Sequence, residues 1–132
     1  MKTSADETFG LLHEQLTLST INEVFGGGFK KTADKYHPYD FVKESKEYIE
    51  LKTRRCKHDT YPTAMIGLNK INYAKKNPEC KFKLLYKYED GLYYHDVDPT
   101  KNYQKACGGR ADRGTPEWKT CCYVPREELI KV

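Results

Sequence analysis

Residues 38–54 read Pro38-Tyr39-Asp40-Phe41-Val42-Lys43-Glu44-Ser45-Lys46-Glu47-Tyr48-Ile49-Glu50-Leu51-Lys52-Thr53-Arg54. Tyr39 to Val42 and Glu47 to Thr53 each have strand composition, and Lys43-Glu44-Ser45-Lys46 between them reads as a turn. The pair predicts a β-hairpin. Side chains alternate faces along a strand. Tyr48, Glu50 and Lys52 therefore share one face, while Ile49, Leu51 and Thr53 take the other. Asp40 and Val42 share a face of the preceding strand, so the hairpin can set Asp40 beside Glu50 and Lys52.

Outward from the hairpin, both flanks read as helix. Ser4 and Glu7 have capping-box spacing, and a helix is expected from about residue 5 to Phe25, where Gly26-Gly27-Gly28 stops it. Glu7, Leu11, Glu14, Leu18, Ile21 and Phe25 fall on one face, with Glu14 inside an otherwise apolar seam. A second stripe, Phe9-Leu12-Leu16, is expected to widen the buried surface. Phe29 to Tyr36 is a weak strand candidate. After the hairpin comes a basic loop, Arg54 to Thr60, and then Pro62 at the first turn of a helix predicted over 62–76. Cys80 to Tyr88 alternates as a strand, Glu89-Asp90-Gly91 turns, and Leu92 to His95 returns. Residues 96–117 read as a long loop. Thr120 to Val124 reads as a last strand, followed by Pro125 and a short polar helix or tail. The expected order is α-β-β-α-β-β-loop-β in one domain, 1–132.

The bulk composition agrees with a folded chain. Of 132 residues, 38% are hydrophobic and 32% charged, with eleven tyrosines and five phenylalanines, which argues against disorder. The net charge of +4 is mildly basic and by itself leaves a nucleic-acid partner open. The five cysteines form no regular framework. The first residues lack an apolar signal region, and no stretch approaches the roughly 18 apolar residues of a membrane span. These features predict an intracellular, reducing compartment, cytoplasm or nucleus, with thiols and no membrane contact. Cys56, Cys107, Cys121, Cys122 and His58 lack the C-x-x-C spacing of structural zinc.

Asp40 and Glu50 together suit a hard divalent cation such as Mg²⁺ or Mn²⁺, which prefers oxygen ligands, and the Leu51 carbonyl could add a third. Lys52 beside the cation could orient a water or offset phosphate charge. An E-x-K triplet is weak in a chain this rich in Glu and Lys. A decoy, Glu44-Ser45-Lys46, sits in the turn, whereas the Glu50 copy lies among Tyr48, Ile49 and Leu51. Charge between apolar neighbours on a strand is costly unless something binds it. The rival reading is an ion pair on a solvated strand face.

Pro38-Tyr39-Asp40-Phe41-Val42 followed by Tyr48-Ile49-Glu50-Leu51-Lys52-Thr53-Arg54 resembles the core motif of the PD-(D/E)XK, or restriction-endonuclease-like, superfamily. Gly10-Leu11-Leu12-His13-Glu14 resembles the first helix of its small viral and phage members. One departure stands out: Tyr39 separates Pro38 from Asp40. The resemblance implies an α/β fold with an αβββαβ core, a mixed sheet flanked by helices. It implies a Mg²⁺- or Mn²⁺-dependent endonuclease acting on DNA in repair, recombination or viral DNA processing, without an organic cofactor. Asp40, Glu50 and Lys52 would be catalytic, with Asp40, Glu50, Leu51 and Glu14 around the metal. Glu14 is preferred over Glu23, and homodimers are common in such families. Arg54, Arg55, Tyr61, Lys70, Arg110 and Arg113 are candidate DNA contacts, Tyr61 and Thr63 through the N-terminus of the second helix. The alternative is a DNA-binding module that keeps the fold with little catalysis.

Overall fold

A computed structural model describes residues 15–34, 36–110 and 117–132, and for 106–110 and 117–120 it describes the backbone alone. Helix α1 is described over 15–24 and stops where Gly26, Gly27 and Gly28 take φ of +95°, +77° and +88°. Such a left-handed backbone costs a residue bearing Cβ about 1–2 kcal/mol and suits glycine. Asn22 closes the turn by accepting the Phe29 N–H (2.7 Å) and donating to the Phe29 carbonyl (3.1 Å). Ile21 is fully buried and Leu18 and Phe25 pack beside it, as the seam predicts. Glu7, Phe9, Leu11, Leu12 and Glu14 lie outside the described residues. Leu16 departs from expectation and is 59% exposed. It stands about 140° round the helix from Ile21, beyond the stripe that faces the sheet.

Strand β1 spans only Lys30–Lys31. The longer expectation fails because Asp34 turns the chain, accepting the Tyr36 N–H on its carboxylate (2.9 Å) and the His37 N–H on its carbonyl (3.0 Å). β2 (Phe41–Lys43) and β3 (Glu47–Thr53) form the expected hairpin. Its central turn residues, Glu44 and Ser45, have φ of +53° and +55°. The Lys46 N–H donates to the Lys43 carbonyl (3.0 Å), and two left-handed central residues match the twist of the flanking strands.

The helix expected over 62–76 is instead strand β4 (Thr63–Gly67) followed by helix α2 (Leu68–Lys76). The burial has period two: Ala64 and Ile66 are inside and Met65 is 40% exposed. Gly67 is extended (φ −65°, ψ 142°) and caps α2, and a Cβ there would meet Asn69 Oδ1 at 2.6 Å. Tyr61 and Thr63 therefore do not open a helix, and a phosphate seat built on that helix end is withdrawn.

β5 (Lys81–Tyr88) and β6 (Gly91–Asp96) follow as expected. Part of the segment expected as a loop is strand, while 111–116 lie outside the described residues. β7 (Gln104–Arg110) pairs antiparallel with β8 (Glu117–Pro125), which is longer than the predicted Thr120–Val124. Gly108 and Gly109 weaken the local strand signal, and pairing with β8 supplies what composition lacks. A short 3₁₀ turn (Arg126–Glu128) and β9 (Ile130–Lys131) close the chain.

The strands form a six-stranded sheet in the order β1-β2-β3-β5-β6-β9 and a three-stranded sheet in the order β4-β8-β7. Among the described residues, only the β3–β5 pairing is parallel. The crossover between them carries β4 and α2. The result is a mixed α/β molecule with a mostly sheet core and two helices. One face of the large sheet buries Phe41, Ile49 and Leu85 against Ile21 and Phe29. The other buries Tyr39, Leu84 and Tyr86 with Ile66, Ile71 and Val124 from the crossover and small sheet. Burial on both faces explains the continuous apolar run Leu84-Leu85-Tyr86.

The strand assignment of β4 has a direct test. Ile66→Ala should destabilise by about 2–5 kcal/mol, and Met65→Ala by less than about 1 kcal/mol, read by urea unfolding. Comparable losses at both positions would contradict the period-two burial.

Candidate functional site

The register Phe41↔Ile49 and Val42↔Tyr48 continues to set Asp40 opposite Glu50. There the ladder opens. In a continued pair, Tyr39 and Leu51 would exchange both backbone hydrogen bonds. Instead the Leu51 N–H donates to Asp40 Oδ2 (2.9 Å). The Tyr39 N–H donates to His37 Nδ1 (3.0 Å), and the Tyr39 carbonyl accepts the Thr32 hydroxyl (2.8 Å). The even-numbered residues of β3 turn their backbone groups to β5, as Arg54 does in donating to the Lys87 carbonyl (2.8 Å). The Leu51 carbonyl therefore points to the β2 side, next to Asp40.

Glu50 is 4% exposed, and its carboxyl is in hydrogen-bonding contact with that of Asp40. Glu50 Oε2 lies 3.0 Å from Lys70 Nζ of α2 and 3.8 Å from Lys52 Nζ. The Tyr39 hydroxyl donates to the Lys70 carbonyl (2.9 Å), tying α2 to the hairpin. Burial first, and then the Asp40 carboxyl, push the Glu50 pKa up to about 8 against the downward pull of Lys70. Two carboxylates brought together in a desolvated place need a proton or a cation between them. Lys52 keeps about a third of its side chain in solvent, and Asp40 is likewise only half-buried, so both are open to a ligand.

The family model described as phage putative PDDEXK endonuclease matches residues 13–132. The chain belongs to this family. No curated protein and no solved structure matches it. PDDEXK nucleases typically use divalent metals, and an all-oxygen pair such as Asp40 and Glu50 has the donor chemistry for one.

The remaining expected residues distribute unevenly. Lys70 joins the Glu50 cluster. Arg54 is half-buried at the end of β3 and Arg55 is exposed, and among the described residues neither forms an ion pair. Tyr61 sits in the loop before β4, 64% exposed. Arg110 lies in β7 with its side chain outside the description, and Glu14 and Arg113 lie outside the described residues. Glu23 is exposed. Tyr93 is buried and stacks on His58 (4.3 Å between centroids), while Tyr94 packs on Phe25, so both serve the fold.

One grouping escaped the sequence reading. His58, Asp59 and Asp90 bring potential ligand atoms within 4.8 Å of one another. His58 Nδ1 is already paired with Asp90 Oδ2 at 2.5 Å, and this bond holds the Asp90 carboxyl below its usual range. Asp90 was legible only as part of a turn. Its approach to His58 depends on the loop after β3 folding back on the β5–β6 turn, which no local signal encodes.

The raised Glu50 pKa has a thermodynamic sign. Between about pH 4.5 and 8 the folded protein keeps a proton that the unfolded chain has released. Without metal, stability from this group should therefore fall as pH rises through that window, by up to about 1.4 kcal/mol per unit. Glu50→Gln should remove that slope and gain on the wild type toward pH 8, as read by thermal unfolding in EDTA. Parallel pH profiles for the two proteins would contradict the shift.

Proposed function

We propose that the protein is a divalent-metal-dependent deoxyribonuclease cutting internal phosphodiester bonds, with Asp40, Glu50 and Lys52 as its catalytic residues. The observation that carries this reading is the contact between two carboxylates at the opened β2–β3 ladder. One of them is buried with its pKa raised, and both stand where the sequence resembles the superfamily's core motif. We read α1, β1–β3, α2 and β5 as the αβββαβ core, with β4 as an insertion, in one domain over 1–132.

The donor set fits Mg²⁺ or Mn²⁺: Asp40 and Glu50 would hold it, with the Leu51 carbonyl and, by resemblance, Glu14 beside them. The cation would lower the pKa of an attacking water and offset charge on the phosphodiester. The chain's own residues do the rest. The Leu51 N–H fixes the Asp40 carboxyl. Glu50 gives up its proton to solvent when it takes up a ligand. Lys52, half-buried beside Glu50, orients the water or meets charge on the phosphate. Lys70 holds Glu50 in the free protein and lies close enough to contact a bound phosphate. Arg54 and Arg55 supply sequence-independent attraction to the DNA backbone. Membership of a phage family supports an infected cell as the working compartment.

Incubation with plasmid, single-stranded and branched DNA tests the reading. Cutting is expected with Mn²⁺ or Mg²⁺ and not with EDTA, and Glu50→Ala or Lys52→Ala should slow it at least about a hundredfold. Cutting that survives both substitutions would reject this centre, and salt-sensitive DNA binding without cutting would favour a binding module. Because Glu50 must be deprotonated to bind a cation, metal affinity should rise by up to tenfold per pH unit toward about pH 8 and then level off. Calorimetric titration of Mn²⁺ at several pH values would read this, and a flat profile would count against Glu50 as a ligand.

A further inference from the structure

The loop after β3 and the start of β4 enclose a cleft of about 360 Å³ whose lining includes Arg54, Lys57, Tyr61, Met65, Tyr88 and Tyr123. Its lining starts at Arg54, two residues beyond Lys52 and four beyond Glu50. Arg54 follows Glu50 and Lys52 at alternate positions of the same chain segment, at about 7 Å per step. Most of the lining surface is apolar, yet two of its large side chains stay open to solvent, Tyr61 at 64% and Met65 at 40%. Tyr88 is held in place by stacking on the buried Tyr86, their rings 20° apart in tilt. Among the described residues, neither Arg54 nor Lys57 is in an ion pair.

Concave aromatic surface combined with unneutralised cations is the chemistry that receives an unstacked base and its neighbouring phosphates. A base inside a duplex could enter only after unstacking, at a cost that an unpaired base escapes. The room is at the low end of small-ligand pockets, enough for one base and its sugar rather than a duplex groove. We propose that this cleft holds one unpaired base of a DNA strand next to the bond being cut, so that the enzyme prefers single-stranded or branched DNA to continuous duplex. This rests on the nuclease reading of Asp40, Glu50 and Lys52, and names the substrate class of that site.

Fluorescence anisotropy in EDTA separates binding from cutting. Tyr61→Ala, an exposed position that should leave the unfolding temperature unchanged, is expected to weaken binding of a single-stranded oligonucleotide about tenfold and duplex binding less than twofold. An abasic site moved along the oligonucleotide should weaken wild-type binding by a similar factor at one position. The same abasic site should have little further effect on Tyr61→Ala, because the two changes remove one contact. Met65→Ala should show the same coupling, more weakly. Equal losses on both DNA forms, fully additive effects of the abasic site and Tyr61→Ala, or no single-strand binding by the wild type would overturn the proposal. If cutting requires Glu50 and Lys52 while this coupling is absent, only the base cleft fails. If the coupling is present while cutting ignores Glu50 and Lys52, the catalytic reading fails instead.

Discussion

Where β2 meets β3 the ladder stops one pair early, and the Asp40 carboxyl takes the Leu51 N–H that a strand carbonyl would otherwise accept. That exchange brings Asp40 onto Glu50, whose own side chain is almost wholly buried. Two acids in such a place repel each other and lack water to soften the repulsion. Much of the surrounding architecture offsets this. Lys70 approaches from α2 and Lys52 from β3. The Tyr39 hydroxyl holds the helix at the right height by bonding the Lys70 carbonyl. Thr32 and His37 occupy the backbone groups of Tyr39 that the broken ladder releases.

The crossover between the parallel strands β3 and β5 explains why the cleft opens just past the strand that carries Glu50 and Lys52. A parallel connection must cross one face of the sheet. Here it does so twice over, with β4 pairing into the small sheet and α2 returning to the large one. α2 brings Lys70 to Glu50. The loop leading into β4 brings Tyr61, and β4 itself brings Met65, to the cleft that Arg54 lines at the end of β3. Arg126 holds that loop through the Asp59 and Pro62 carbonyls, at 2.7 Å and 3.0 Å.

Local chemistry made the hairpin legible. Glu47–Thr53 alternates, the turn lies between apolar flanks, and the structure has the strand at the boundaries read from sequence. The apolar side of α1 was legible at Leu18, Ile21 and Phe25 for the same reason. Two elements were hidden because their structure is fixed from outside. Thr63-Ala64-Met65-Ile66-Gly67 is short, contains helix formers and follows a proline that suits a helix start, so its strand state depends on pairing with β8. Gln104–Arg110 carries glycines and charge, and only its long antiparallel register with β8 makes it a strand. The candidate site divides along the same line. Asp40, Glu50 and Lys52 could be grouped from alternation alone. The Lys70 contact required a helix starting at Leu68, and the cleft required a strand where a helix was expected.

The charges around Glu50 account for why a helix lysine belongs there at all. A buried carboxyl can be stabilised by a proton, by a lysine or by a metal cation, and all three compete for the same oxygens. With a proton, Glu50 is neutral and Lys70 loses its partner. With Lys70, the pair is balanced, but Asp40 still faces a second carboxylate in contact with its own. A divalent cation held as proposed would satisfy both carboxylates together and leave Lys70 without a reason to stay on Glu50. A phosphate of the proposed substrate could then pair with it. The 3.0 Å ion pair is thus compatible with a resting state in which the helix lysine holds the acid in place, and with its release toward substrate once the acid is otherwise satisfied. A surface ion pair would not require this burial, and the fold would gain little from it.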